Sequence, residues 1–141
     1  MAKTINTKID DGILHFTFTN NNDEVFSSFK LNPTDINVMA RAEEVAEYFD
    51  GLKDSVQKVT TGKEVAELNR QIEDKINYLL GYEASKDLFK EPITATTVFA
   101  NGQVFVYIIL DKISEVIAPE IEKRKKKMQV AVNKYTEKYT K

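Results

Sequence analysis

Between residues 38 and 56 the apolar side chains Val38, Ala42, Val45, Phe49, Leu52 and Val56 recur at alternating spacings of four and three. That interval is the seam of an α-helix built to lie along another helix, and it commits a chain of 141 residues to a largely helical packing. The stripe is entered through Asn32-Pro33-Thr34-Asp35. Pro33 fixes φ, pushes Asn32 into extended backbone and leaves Thr34 or Asp35 as the N-cap. The spacing predicts a helix over about 34–58. Gly51 interrupts it at about 1 kcal/mol relative to Ala, so a bend or an end near Asp50-Gly51 is the alternative.

A second stripe, Val65, Leu68, Ile72, Ile76 and Leu79, begins after Thr60-Thr61-Gly62 and stops before Gly81, which predicts a helix over about 62–80 antiparallel to the first. Ahead of both, Leu14, Phe16 and Phe18 alternate with His15, Thr17 and Thr19, and Phe29 and Leu31 follow Asn20-Asn21-Asn22-Asp23. Asn and Asp bond their own backbone and tolerate left-handed φ, so residues 12–31 read as a β-hairpin. A two-stranded hairpin is marginal alone, so its apolar face must lie on the helices. The fold class expected is α+β, mostly α: an N-terminal β-hairpin packed on a small bundle of long helices.

Residues 93–110 admit two readings. β-branched and aromatic residues flank Asn101-Gly102, a strong hairpin signal. Against it, Val106, Leu110, Ile113, Val116 and Ile117 continue at helical spacing with Asn101 available as a cap, which favours a helix over about 102–118. Pro119 then kinks that helix or opens a new one at its first turn. The expected organisation is one domain over 1–118 followed by a basic C-terminal helix over 119–141, with Ile121, Met128, Ala131, Val132 and Tyr135 at helical spacing.

Catalysis has little to stand on. There is no Cys, which removes disulfides, thiolate metal sites and Cys nucleophiles, and His15 is the single imidazole. Asp10-Asp11 and Glu43-Glu44 with Glu47 carry oxygen ligands, but the second group lies off its apolar stripe, where carboxylates are the solvated face. No glycine-rich phosphate loop or nucleophile elbow is present. The expectation is therefore no enzyme, no catalytic or metal-ligating residue and no cofactor. The longest uninterrupted apolar run, Val104 to Leu110, is far short of a membrane span, and Met1-Ala2-Lys3-Thr4-Ile5-Asn6 has no apolar leader core, so a cytoplasmic protein without membrane association is expected.

Charge is distributed unevenly. Residues 1–110 hold 11 Lys and Arg against 17 Asp and Glu, whereas residues 111–141 hold 9 against 5. The run Lys123-Arg124-Lys125-Lys126-Lys127 is a candidate polyanion-binding element, with Tyr135 and Tyr139 as the aromatics nearby. Five consecutive helical residues point all around the axis, however, so two or three face any one surface. The apolar stripes over 38–56 and 106–135 are long for a small bundle, and a stripe that outruns its own partner is available to another chain or to a client helix. An interaction protein is the physical expectation, with Val38, Val45, Phe49 and Leu52 as candidate partner-binding residues and self-association open.

The order of parts carries a resemblance. A hairpin precedes Phe29-Lys30-Leu31-Asn32-Pro33-Thr34-Asp35 opening a long helix; Tyr78-Leu79-Leu80-Gly81 closes a second; Asp87-Leu88-Phe89 follows, and then a late helix. Over roughly residues 12–118 this resembles the tail assembly chaperones of long-tailed (siphovirus- and myovirus-type) phages and prophages of Gram-positive bacteria. The resemblance implies a protein that binds the long helical tape-measure protein and keeps it soluble while the tail tube polymerises around it, with the tail tube protein as a further partner. It also implies a longer form made by ribosomal frameshifting. It brings no functional residues with it, and the segment beyond Pro119 is longer and more basic than the family leads one to expect. The reading in a different class is a small nucleic-acid-binding accessory protein acting through Lys123 to Lys127.

Overall fold

The computed structural model describes residues 2–139. The chain is mostly helical with one N-terminal antiparallel hairpin, in the order β1 (Leu14–Thr19), β2 (Val25–Leu31), α1 (Ile36–Asp50), α2 (Leu52–Lys58), α3 (Gly62–Leu80), α4 (Ser85–Leu88) and α5 (Phe105–Tyr139). This is the expected α+β, mostly α class.

The hairpin turn is made by the Asn/Asp cluster. The Asn20 side-chain oxygen accepts the N–H groups of Asn22 and Glu24 at 2.9 and 3.1 Å, and Asp23 takes φ 61°. Leu14 pairs with Leu31 and Phe16 with Phe29, whose rings stack at 4.4 Å. The register shifts between Phe18 and Thr19 and steps past Phe26, whose ring lies 5.9 Å from that of Phe105. Two polar contacts fix the hairpin to the body. The buried Ser27 hydroxyl donates to the Leu88 carbonyl at 2.7 Å, and the Lys30 N–H donates to the Tyr82 hydroxyl at 2.8 Å.

Asp35 is the N-cap of α1, its carboxylate accepting the Asn37 N–H at 2.9 Å. The expected helix over 34–58 is two helices: Gly51 closes α1 by donating to the Glu47 carbonyl at 3.1 Å, and α2 starts at the next residue. Gly51 falls between the seam residues Phe49 and Leu52, and its helix propensity is low enough for the chain to turn there. The helix expected over 62–80 is observed over those residues. Thr61 caps it by accepting the Glu64 N–H at 3.2 Å, and Gly81 ends it at φ 80°. Arg41 ties α1 to the end of α3, donating to the Leu79 carbonyl at 3.2 Å while pairing with Asp35 at 3.2 Å.

Residues 93–104 combine both readings of that stretch. Asn101-Gly102 makes a turn closed by a single Val98–Val104 bridge, with Gly102 at φ 84°. The helix then starts at Phe105 rather than Gly102, and Asn101 does not cap it: its side chain accepts the Gln103 N–H within the turn at 3.0 Å. The first N–H groups of α5 are taken instead by Thr97 and Ala95 carbonyls at 2.9 and 3.0 Å. Phe105 is the centre of the core, touched by the rings of Phe18, Phe26, Phe89 and Phe99.

Pro119 does not open a new helix: α5 runs through it as one helix of 35 residues, about 50 Å long. Pro119 removes one helical donor, and its exposed position lets water serve the unpaired carbonyl. The division at 118/119 is therefore not an element boundary. Ile121 and Arg124 remain half-buried against the body, and every residue from Lys125 to Glu137 is exposed. Among the described residues no helix is long and apolar enough to cross a membrane.

Candidate partner-binding groove

The two seams predicted to pack on other helices face one another across a gap. A hollow of about 580 Å³ separates α1 from the first half of α5. Val38, Ala42, Val45, Ala46 and Phe49 line one wall, and Leu110, Ile113, Ser114, Ile117 and Ile121 line the other. Its physical origin is side-chain size. Ala42 and Ala46 on α1 and Ser114 and Ala118 on α5 all line the hollow, and small side chains leave space there that Leu or Ile would fill. Val38 and Val45, 4% and 3% exposed, lie deepest, whereas Ala42 and Ala46 are exposed at the opening.

The charged groups of the walls are Glu43, Asp50 and Asp111, all acidic. A second hollow of about 500 Å³ adjoins the first through shared Met39 and Ile121, and leads past Pro33 and Asp35 to Arg124 and Met128. The groove thus runs along α1 toward the exposed end of α5. Tyr107 contributes a hydroxyl that is buried without a hydrogen-bond partner among the described residues, and burial pushes its pKa above the ordinary tyrosine value.

The expected partner-binding residues divide. Val38, Val45 and Phe49 border this groove, but Val38 and Val45 are also buried in the core, so of the three only the half-buried Phe49 offers much surface to a partner. Leu52 does not: at 0% exposed it belongs to the core, because the turn at Gly51 takes the seam beneath the body. On the α5 wall, Leu110, Ile113, Ile117 and Ile121 belong to stripes legible in the sequence, whereas Ser114 and Ala118 do not, and none of them is among the expected partner-binding residues. The signal that would have found the gap is the small residues Ala42, Ala46, Ser114 and Ala118 on or beside two apolar seams.

The basic run is likewise divided. Arg124 is held by Glu120 at 3.0 Å and donates to the Gly12 carbonyl at 2.6 Å, so it fastens α5 to the entry of β1. Lys125 lies 3.8 Å from Glu122. Lys123, Lys126 and Lys127 are exposed and make no ion pair among the described residues. The Tyr139 side chain lies outside the described residues.

Elsewhere the polar groups have structural work. His15 is exposed on β1, across from Lys30. Asp10 and Asp11 accept the N–H groups of Gly12 and Ile13, each at 3.0 Å, and so shape the approach to β1. Glu44 accepts the Tyr78 hydroxyl. That bond raises the Tyr78 pKa. Among the described residues no group of three His, Asp or Glu side chains is placed to hold a metal ion. A further hollow between the hairpin turn and the Asn101 turn, about 690 Å³, has no ionisable side chain in its wall.

No protein-family model, curated protein or solved structure matches the chain.

Proposed function

We propose that this protein is a non-catalytic chaperone of tail assembly, of the kind found in long-tailed phages and prophages of Gram-positive bacteria, acting in the cytoplasm of the bacterial host. In this reading the α1–α5 groove holds an apolar face of the helical tape-measure protein and prevents its aggregation until the tail tube polymerises around it. The observation that carries the reading is the groove itself: two helical seams held apart, apolar at the base, acidic where α1 faces the first half of α5, and continuing into a hollow bordered by Asp35, Arg124 and Lys125. A helix laid into such a groove is recognised through apolar residues at spacings of three and four and needs no cofactor. The acidic rim favours a client helix whose flanks are basic.

The test is co-expression with the longest coiled-coil-rich product encoded in the same genome. A soluble complex that co-purifies at moderate salt is the expected result. A client that stays insoluble in the presence of the protein overturns the reading.

A second reading, nucleic-acid binding, draws on Lys123, Lys126 and Lys127, exposed on a helix that projects from the body. Its signature is retention on heparin with steep salt dependence, lost on changing these lysines to Gln.

A further inference from the structure

We propose that the exposed end of α5 lies in the α1–α5 groove of a second copy of this chain, with the two α5 helices antiparallel and each end filling the other copy's groove. The inference shares with the proposed function the premise that the groove receives a helix, and adds a specific occupant. A single seam runs the length of α5 at alternating spacings of three and four. Its first half, Leu110, Ser114 and Ile117, lines the groove. Its second half continues as Met128, Ala131 and Tyr135 on a stretch where every residue is exposed, Met128 to 63%. Half of one seam therefore lines the larger hollow, and the other half starts at Met128, on the edge of the adjoining hollow, and continues beyond it.

Charge selects the occupant. The charged residues of the larger hollow are Glu43, Asp50 and Asp111, while Asp35, Arg124 and Lys125 border the adjoining one; residues 126–137 carry Lys126, Lys127 and Lys134 against Glu137 and match the larger hollow. Length agrees as well. The α1 wall from Val38 to Phe49 spans about 17 Å at 1.5 Å per residue, and residues 125–137 span about 18 Å. Lys125 and Met128 border the adjoining hollow, but the residues beyond them continue the same helix and do not fold back along its own wall.

The seam is also self-complementary when reversed. In the antiparallel register that sets Ile117 beside Met128, Ser114 falls beside Ala131, Leu110 beside Tyr135 and Ile121 beside Arg124. The same register brings Lys127 near Glu120 and Lys134 near Asp111, opposite charges in both cases. A two-fold dimer satisfies both grooves and both ends with the same contacts, which closes the assembly. In such a dimer the end of α5 occupies the site a client helix would take, so client binding and self-association compete.

The chain has no cysteine, which makes the register directly readable. In a chain carrying both Ser114→Cys and Ala131→Cys, mild oxidation is expected to give a covalent dimer in high yield. The two positions lie about 25 Å apart along one helix, so they cannot join within a chain. Each single variant is expected to remain uncrosslinked, since neither position meets its own copy in the antiparallel register. Sedimentation of the unmodified protein is expected to show dimers, and Met128→Glu, at an exposed position that leaves the monomer folded, to weaken them roughly tenfold to a hundredfold. A wild-type protein that stays monomeric at about 200 μM, well above the micromolar Kd of an ordinary specific interface, overturns the inference. So does a dimer indifferent to Met128→Glu with no 114–131 crosslink. A monomer that still solubilises its client refutes this dimer while leaving the proposed function standing, and a protein that crosslinks at 114–131 yet has no affinity for the client when reduced and diluted to monomer does the reverse.

Discussion

Removing the Phe105 ring should be the most damaging single change in this protein. Phe105 is fully buried at the N-terminus of α5, with ring centroids of Phe18, Phe99, Phe26 and Phe89 at 5.3, 5.4, 5.9 and 5.9 Å. Those four rings come from β1, β2 and two separate loops, so Phe105→Ala loses the transfer energy of one ring and leaves a void that no single backbone shift can close. Phe-to-Ala changes in cores cost about 3–5 kcal/mol, and a site that cannot collapse belongs near the upper end, about 4–5 kcal/mol. Set against a total stability of roughly 5–15 kcal/mol, that is a large fraction of the whole. The melting temperature should fall by about 10–20 °C. Urea unfolding followed by far-ultraviolet circular dichroism, with the slope checked for two-state behaviour, measures the loss. Val130→Ala on the exposed end of α5 should stay within about 0.5 kcal/mol of wild type and serves as the control. A Phe105→Ala loss below about 1.5 kcal/mol, or one matching the control, would refute the view that this ring joins hairpin, loops and α5 into one core.

Three further outcomes follow from single contacts. Ser27→Ala strips the buried Leu88 carbonyl of its donor and should cost about 1–3 kcal/mol in urea unfolding; a neutral result would mean the hairpin is not fastened there. Gly81→Ala forces a side chain into φ 80° with its Cβ 3.0 Å from the Arg41 guanidinium, and should destabilise by about 1–2 kcal/mol, whereas unchanged stability would deny that the α3 C-cap is under this constraint. The Asn37 N–H, aided by Arg41, holds the Asp35 carboxyl below its ordinary value of 3.8. A depressed carboxylate contributes stability that is present above the unfolded pKa and is lost as pH falls through the folded one, so Asp35→Asn should flatten the stability–pH curve below about pH 4. An acid limb identical in wild type and Asp35→Asn would contradict the pairing.

Much of this fold is legible in local sequence because local physics determines it. The alternation of Leu14, Phe16 and Phe18 marks β1, and the Asn20 side chain makes its own turn. Both ends of α3 are readable, since Thr61, Glu64 and Gly81 each act within a few residues of themselves. What escaped was decided elsewhere in the chain. The start of α5 depends on carbonyls of Ala95 and Thr97, eight to eleven residues upstream of the N–H groups they accept, and no periodicity encodes that. The passage of α5 through Pro119 depends on its exposure, and the core position of Leu52 on the turn at Gly51. The groove itself was half legible. The seam residues Val38, Val45 and Phe49 were readable as one apolar face, but a gap between two seams is a property of which helices meet, and α1 and α5 are brought together only by tertiary structure.

The most direct test of the groove is the affinity of the purified protein for its helical client, with Ala42→Glu and Ala46→Glu introduced together. Both positions are exposed at the groove opening, so the doubly substituted protein should unfold with wild-type stability. A bound helix would bury these carboxylates without partners beside Glu43 and Asp50, and binding should weaken by roughly a hundredfold or more, while Lys126→Gln with Lys127→Gln leaves it within about threefold. Client affinity that survives the two glutamates and disappears with the two lysines would contradict the account and move the binding surface to the basic end of α5.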